Sequence, residues 1–219
     1  TEESGLNGDM GKRVAVDTAA MDWQPSPSPT VWRKRLHLVG QPESGQVTAI
    51  VRYEPGASFP QHNHPEGEEI LVLEGVFSDQ QGDFPAGAYL LNPEGFSHAP
   101  FSRQGCVLFV KLRQYGGPGR QHVALRTNEM PWQAGPELGV ESKELYANPS
   151  FPDAMRIERL APGAGPLHRA YPGGAEIPAA DLVRLLLNCQ PFELIGGQPQ
   201  MDRVVKDRSD RGNRASLAN

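Results

Sequence analysis

The sequence predicts an all-β protein of the antiparallel sandwich or barrel type, on three observations. Glycine (24) and proline (21) together make up about a fifth of the 219 residues. That richness suits many short strands joined by turns rather than long helices. Short runs rich in β-branched or aromatic residues recur at Gln46–Tyr53, Glu69–Phe77, Gly87–Leu91 and Val107–Arg113. Turn-forming residues bound these runs at Glu54-Pro55-Gly56, Asp79-Gln80-Gln81-Gly82-Asp83 and Asn92-Pro93-Glu94-Gly95.

Along the chain, residues 1–19 are polar, without a hydrophobic pattern or the charged-then-apolar layout of a secretion signal. They are expected to form a flexible lead-in. From about residue 20 onward one pattern occurs twice. Met21-Asp22-Trp23-Gln24 recurs as Met130-Pro131-Trp132-Gln133, and at the same offset Pro27, Val31, Lys34 and Leu36 match Pro136, Val140, Lys143 and Leu145. After a small length change, IVRYEPGA from Ile50 matches IERLAPGA from Ile157, and Gly67-Glu68-Glu69-Ile70 matches Gly174-Ala175-Glu176-Ile177. A duplicated module is therefore expected, with copies at 20–122 and 126–198. Beyond Ile177 the match dissolves, and Ala179–Cys189 fits a helical turn or a buried strand equally well. Residues 199–219 read as a charged, solvated tail, in which Asp202, Asp207 and Asp210 dilute the basic stretch Arg203–Arg214.

Charge and composition exclude several classes of function. The net charge is -5 and no basic stripe stands out, which argues against a nucleic-acid partner. No apolar run approaches the length of a membrane span, and a cytoplasmic location is the expectation. The two cysteines, Cys106 and Cys189, lie far apart and in no CxxC pair. Neither a disulfide framework nor a cysteine-based zinc site is expected, and both read as small core residues.

Chemistry concentrates at His62, His64, Glu68 and His98. His62 and His64 are two apart, so on an extended strand they share a face. Glu68 follows at an even offset, beyond the turn Pro65-Glu66-Gly67, and can point to that face. His98 follows a Pro93-x-Gly95 turn. Three imidazoles and a carboxylate suit zinc, iron, manganese, nickel or copper, and not calcium or magnesium, which take oxygen ligands. Glu69 is the rival carboxylate, but its odd offset turns it to the opposite face, and Glu66 lies in the turn. His37 and His122 fall outside the set and read as exposed or hydrogen-bonded. His168 aligns with His62, yet Ala170 and Ala175 stand opposite His64 and Glu68. One divalent metal per chain is therefore expected, held by the first module alone.

The spacing Gly56-x5-His62-x-His64-x3-Glu68-x6-Gly75, followed by Gly87-x5-Pro93-x-Gly95-x2-His98, resembles the two motifs of the cupin superfamily, with Ser102 where an asparagine often stands. The resemblance implies a double-stranded β-helix, or jelly-roll barrel, with the four residues inside one end. With the repeat, it implies a bicupin whose second module is degenerate. VLEGVFSD from Val72 and Gly87-Ala88-Tyr89 narrow the resemblance to the cupin-like domain of ChrR-type anti-sigma factors. In those regulators the domain follows a helical anti-sigma domain with its own zinc, held by histidine and cysteines. No such cluster precedes the motifs in this sequence, so sigma-factor sequestration by that route is not expected.

What the resemblance implies is a metal-binding regulatory or sensing module. Zinc is the first choice, with iron, manganese or nickel as the others, and the barrel is expected to admit a small-molecule ligand. A homodimer through sheet edges is the expected assembly. Similar stand-alone cupins include small-molecule dioxygenases acting on acetylacetone, and this gives the alternative reading, a metal-dependent dioxygenase of diketone-like substrates. No general base is identified. Glu69, Tyr89 and Lys111 are candidates for a contributing group, with their facing left open.

Overall fold

The computed structural model describes residues 5–135, 137–162, 175–179, 184–187 and 201–207. Strands dominate, and the helical elements among the described residues are the short 3-10 turns Thr18–Ala20 and Thr127–Glu129. Among the described residues no helix is long and apolar enough to cross a membrane. The chain divides into two units: residues 1–8 with 21–129, and residues 9–20 with 130–219.

The first unit contains an antiparallel path of strands in the order Val123–Arg126, Ala88–Asn92, Glu68–Asp79, Cys106–Leu112, Gln46–Tyr53, Val31–Val39 and Gln24–Pro25. The sequence reading placed four of these strands within a residue or two of their ends. Alternation then decides which side chains form the core. Val31, Tyr53, Ile70, Val72, Phe77, Ala88, Leu90, Cys106, Leu108 and Val110 make one buried cluster. A separate two-stranded ribbon pairs His62–His64 with Phe96–His98, and the short strand Phe101–Ser102 pairs with both Ala57–Ser58 and the end of Glu68–Asp79.

The 12-residue strand Glu68–Asp79 organises this unit. Its register against Cys106–Leu112 slips between Val107 and Leu108, so Val107 faces Glu74 while Leu108 faces Val72. One extra residue reverses the facing of everything beyond it. Ile70 and Val72 point into the core at even positions, and after the bulge Phe77 does so at an odd one. Gly75, beside the bulge, has φ 72°. A Cβ there would stand 2.1 Å from the carbonyl oxygen of Gly105, so only glycine permits the bend.

The second unit pairs Val14–Asp17, Arg184–Leu187, Ala175–Ala179, Met201–Asp207, Ala154–Leu160, Val140–Ala147 and Gln133–Ala134 in that order. Three expectations are corrected here. The lead-in is not uniformly flexible: Val14–Asp17 is a strand in which residues alternate between half-buried and exposed, and Leu6 bridges Leu38 in the first unit. The first unit extends past residue 122, because Val123–Arg126 pairs with Ala88–Asn92. The stretch expected as a solvated tail from residue 199 contains a strand, since Met201–Asp207 pairs with Ala154–Leu160 despite its charge. Within Ala179–Cys189, Arg184–Leu187 is a strand. His168, Cys189 and the rest of that stretch lie outside the described residues.

Corresponding elements recur in the two units. A strand and a 3-10 turn at Val14–Ala20 have counterparts at Val123–Glu129, and Gln24–Pro25 has its counterpart in Gln133–Ala134. Trp23 carries Lys34 Nζ 4.6 Å and the Arg52 guanidinium 4.5 Å from its ring centre. Trp132 carries Lys143 and Arg159 in the same roles, each at 4.2 Å.

Candidate metal centre

The site forms where the short ribbon meets the start of the long strand. In the ribbon, His98 stands directly opposite His62 and Phe96 opposite His64. Residues opposite each other in an antiparallel pair share a face, as do residues two apart, so all three imidazoles come to one side. Two turns fix the ribbon's ends. The carbonyl of His64 accepts from Gly67 N (3.3 Å) and from Gly95 N (2.9 Å), and both glycines have positive φ. Gln80 ties the other strand of the ribbon by donating to Ser97 O (2.9 Å) and accepting from Ala99 N (3.2 Å).

His62, His64 and His98 each offer a ring nitrogen within 4.8 Å of the others, and His64 and His98 are buried. His64 Nε2 lies 3.0 Å from His98 Nε2. Glu68 Oε2 lies 3.4 Å from His64 Nε2 and 3.5 Å from His98 Nε2. Glu68 is held by Asn92, its direct neighbour across the sheet, whose Nδ2 donates to Oε2 over 3.0 Å. Glu69 faces the opposite way and accepts from the hydroxyl of Tyr115.

The partners of the outer ring nitrogens determine the tautomers. His98 Nδ1 faces Asp79 Oδ2 at 3.1 Å, and His62 Nδ1 faces the carbonyl of Pro60 at 2.8 Å. A carboxylate and a carbonyl only accept, so both Nδ1 atoms carry the proton, and Nε2 is the ring nitrogen left to offer a lone pair to an ion. Burial, then the neighbouring His98, His62 and Arg113, lowers the His64 pKa to about 3, so its ring is neutral. Burial raises the Glu68 carboxyl, against the pull of His98 and the Asn92 bond.

The spacing of His64, His98 and Glu68 suits a divalent ion, with a His62 ring nitrogen within 4.8 Å of those of His64 and His98. With metal–nitrogen and metal–oxygen bonds of about 2.0–2.2 Å, neighbouring ligand atoms stand about 3.3–3.5 Å apart around a tetrahedral ion and about 2.8–3.1 Å apart around an octahedral one. The separations of 3.0, 3.4 and 3.5 Å span that range. Without a cation, basic atoms would converge in a buried place with too few donors among them.

The sequence reading missed Asp79, because it lies eleven residues beyond Glu68, an odd offset. The bulge is what returns it to the inner face, and the signal was the glycine closing the first motif. Among the other named residues, Tyr89 stands opposite Leu71, and Lys111 stands opposite Glu69 and donates to Thr48 Oγ1 (3.1 Å). Both therefore belong to the face turned away from the histidines. His37 is buried with Nδ1 3.0 Å from the carbonyl of Asn7, and exposed His122 stacks on Phe96 at 5.1 Å. Ser102 donates to Val76 O over 2.6 Å, helping to fasten the long strand's far half.

The histidines open onto a cavity of about 230 Å³ inside the unit. Val31, Val51, Ile70, Phe77, Leu108 and Val110 are among its apolar walls, and Arg33, Glu43 and Arg113 also line it.

Comparison with known proteins agrees with this architecture. Residues 11–116 match the family of the ChrR cupin-like domain. A candidate dioxygenase from Nostoc punctiforme superposes with a TM-score of 0.72 at 14% identity, covering 91% of this chain and 84% of that one. A candidate glyoxylate-induced protein from Pseudomonas aeruginosa gives 0.69 at 13% identity, covering 94% and 92%. A cupin 2 conserved barrel domain protein from Leptotrichia buccalis gives 0.57 at 12% identity, covering 90% and 96%. At such identities the likeness establishes a cupin-type all-β fold. No curated protein matches the chain.

Proposed function

Since residues 11–116 match the ChrR cupin-like domain family, we propose that the chain binds one divalent transition metal through His62, His64, Glu68 and His98. In this reading it acts as a metal-dependent sensing or regulatory module. The observation that carries the proposal is the pair of Nδ1 contacts: the Asp79 carboxylate and the Pro60 carbonyl each accept from an Nδ1–H, which leaves the Nε2 atoms of His98 and His62 free for an ion. His98 Nε2 stands 3.5 Å from Glu68, and the three rings each offer a nitrogen within 4.8 Å of the others. Three imidazoles favour zinc first, with iron, manganese or nickel as the other choices. When bound, the ion supplies a Lewis-acidic position for a small ligand's oxygen. The protein's own residues orient the rings, exclude bulk water through the apolar wall, and hold Glu68 in register with Asn92.

The apolar cavity against the ligand set favours a second reading, a metal-dependent dioxygenase of small diketone-like molecules. Metal analysis of protein isolated without added metal, paired with oxygen uptake in the presence of acetylacetone, separates the two. Stoichiometric zinc and no uptake supports the sensing role; iron with substrate-dependent oxygen consumption supports the oxygenase and overturns it. For the site itself, a His62→Ala, His98→Ala double variant is expected to lose the metal, and retention of a full equivalent refutes the assignment.

We also read the second unit as a degenerate copy of the first. The recurring order of elements and the tryptophan between a lysine and an arginine in each unit support this. Ala175 stands where the first copy has Glu68, so the metal belongs to the first unit only. A cytoplasmic setting suits Cys106, a buried free thiol, and a homodimer through sheet edges remains part of the proposal.

A further inference from the structure

The wall of the cavity carries an excess of positive charge that the metal site does not use. Arg33 pairs in register with Val51, and Arg35 with Ala49. Val51 and Ala49 line the cavity, so the two arginines stand on the same face of the sheet. Glu43 answers Arg33 with two bonds (3.1 and 2.5 Å) and Arg35 with one (2.8 Å). Arg113 gives its guanidinium to backbone carbonyls, Gly45 O at 3.2 Å and Glu43 O at 2.8 Å. Its backbone is left-handed, with φ 58°, at the end of the strand Cys106–Leu112. Arg33 and Arg35 thus share the one carboxylate, while Arg113 is held by neutral carbonyls. The Nε atoms of Arg33 and Arg35 are buried and have no acceptor among the described residues. Two largely buried cations in excess, with two unmatched donors, are costly unless an anion completes the set.

We propose that the cavity takes a small carboxylate with an apolar chain. Its anionic group is received by Arg33 and Arg113, which line the cavity, with Arg35 beside them on the same face of the sheet, and its chain runs along Val51, Leu108 and Val110. Where the chain's far end meets the histidines, the proposal rests on the metal reading; the arginine pole does not depend on it. At roughly 30 Å³ of liquid per water, the cavity of about 230 Å³ equals seven or eight waters, which suits an acid of about eight non-hydrogen atoms.

The test uses the full chain, with metal content measured on every sample, and calorimetric titration with hexanoate and with 1-hexanol, which has a similar chain and no charge. Hexanoate is expected to bind at least tenfold more tightly than hexanol. Arg33→Met should reduce that preference to less than threefold with metal content unchanged. Arg113→Met provides the same comparison should Arg33→Met fail to fold. Val110→Trp, which fills the cavity, should abolish binding of both probes. Equal affinities, binding of neither probe, or a preference that survives both arginine substitutions overturns the proposal. Preferential hexanoate binding by protein that never takes up metal supports the arginine pole and overturns the metal reading alone.

Discussion

Replacing Asp79 tests the geometry of the metal centre without touching a proposed ligand. Its carboxylate lies 3.1 Å from His98 Nδ1, and the two side chains are 3% and 1% exposed, so the bond is charge-assisted and shielded from solvent. Such bonds contribute about 1.5–3 kcal/mol. At about 1.4 kcal/mol per tenfold change in affinity, that corresponds to a loss of roughly ten- to a hundredfold. This agrees with the cost of removing the outer partner of a metal-binding histidine. Asp79→Asn keeps an acceptor facing Nδ1 and loses the charge, so it should fall near the lower figure. Asp79→Ala frees the ring to change tautomer and rotate, and should fall near the upper one. Competition of the protein with a chromophoric chelator for zinc gives the affinities, and cobalt substitution reports the ligand field directly. The two variants should also differ in cobalt absorption, since one preserves ring orientation and the other does not. If Asp79→Ala folds with an unchanged melting temperature and binds zinc as tightly as the parent chain, the orienting role is refuted.

Three more predictions follow from the same geometry. Glu68→Gln should weaken zinc binding by at least about tenfold, from loss of a direct ligand charge. Glu69→Gln, on the opposite face with Tyr115, should lower the melting temperature and leave metal affinity within twofold; the same titration distinguishes them, and the reverse order would sink the facing assignment. Gly75→Ala should cost at least about 2 kcal/mol, because a left-handed φ penalises a Cβ by about 1–2 kcal/mol and the Gly105 carbonyl blocks it as well. Thermal melts should show a fall of several degrees, and an unchanged melt would contradict the bend. For pH, His64 has a folded pKa of about 3 against an ordinary 6.5. Between these values the unfolded chain binds more protons, so the metal-free protein loses stability as pH falls from about 6.5 towards 3. His64→Gln removes that contribution, and its melting temperature should fall less between pH 7 and 5; parallel falls would refute the assignment.

The fold was legible wherever alternation ran unbroken. Gln46–Tyr53 matches its strand to the residue because Val47, Ala49, Val51 and Tyr53 recur at every second position and Glu54-Pro55-Gly56 stops it, although Thr48 and Ile50 on the other face are buried too. The four proposed ligands were legible because three of them lie on a ribbon with a period of two, and Glu68 opens the next strand in phase. Asp79 was not, since a bulge shifts phase and leaves only a glycine as its trace. Arg33 and Arg35 belong to no motif in the sequence, and only their register with Val51 and Ala49 shows the face they share. Met201–Asp207 was hidden for a different reason: charged residues outnumber the apolar ones that a strand reading relies on.

The strand Glu68–Asp79 explains why the site and the fold are difficult to separate. Straight, its twelve residues would span about 36 Å at roughly 3.3 Å each. Yet Glu68 Oε2 lies 3.5 Å from one nitrogen of His98, and Asp79 Oδ2 lies 3.1 Å from the other. The two ends of one strand therefore grip opposite edges of a single imidazole. That requires the bulge beside Val72, the left-handed Gly75, and the pairing of the far half with Phe101–Ser102. Under the proposed metal reading, an ion held at His98 would act on the near end through Glu68 and, through the ring, on the far end through Asp79. Metal occupancy and closure of this strand are then linked, and each stabilises the other by the same free energy. The proposed sensing role would draw on such a link, since an ion bound there would alter the stability of the strand around which the first unit is built.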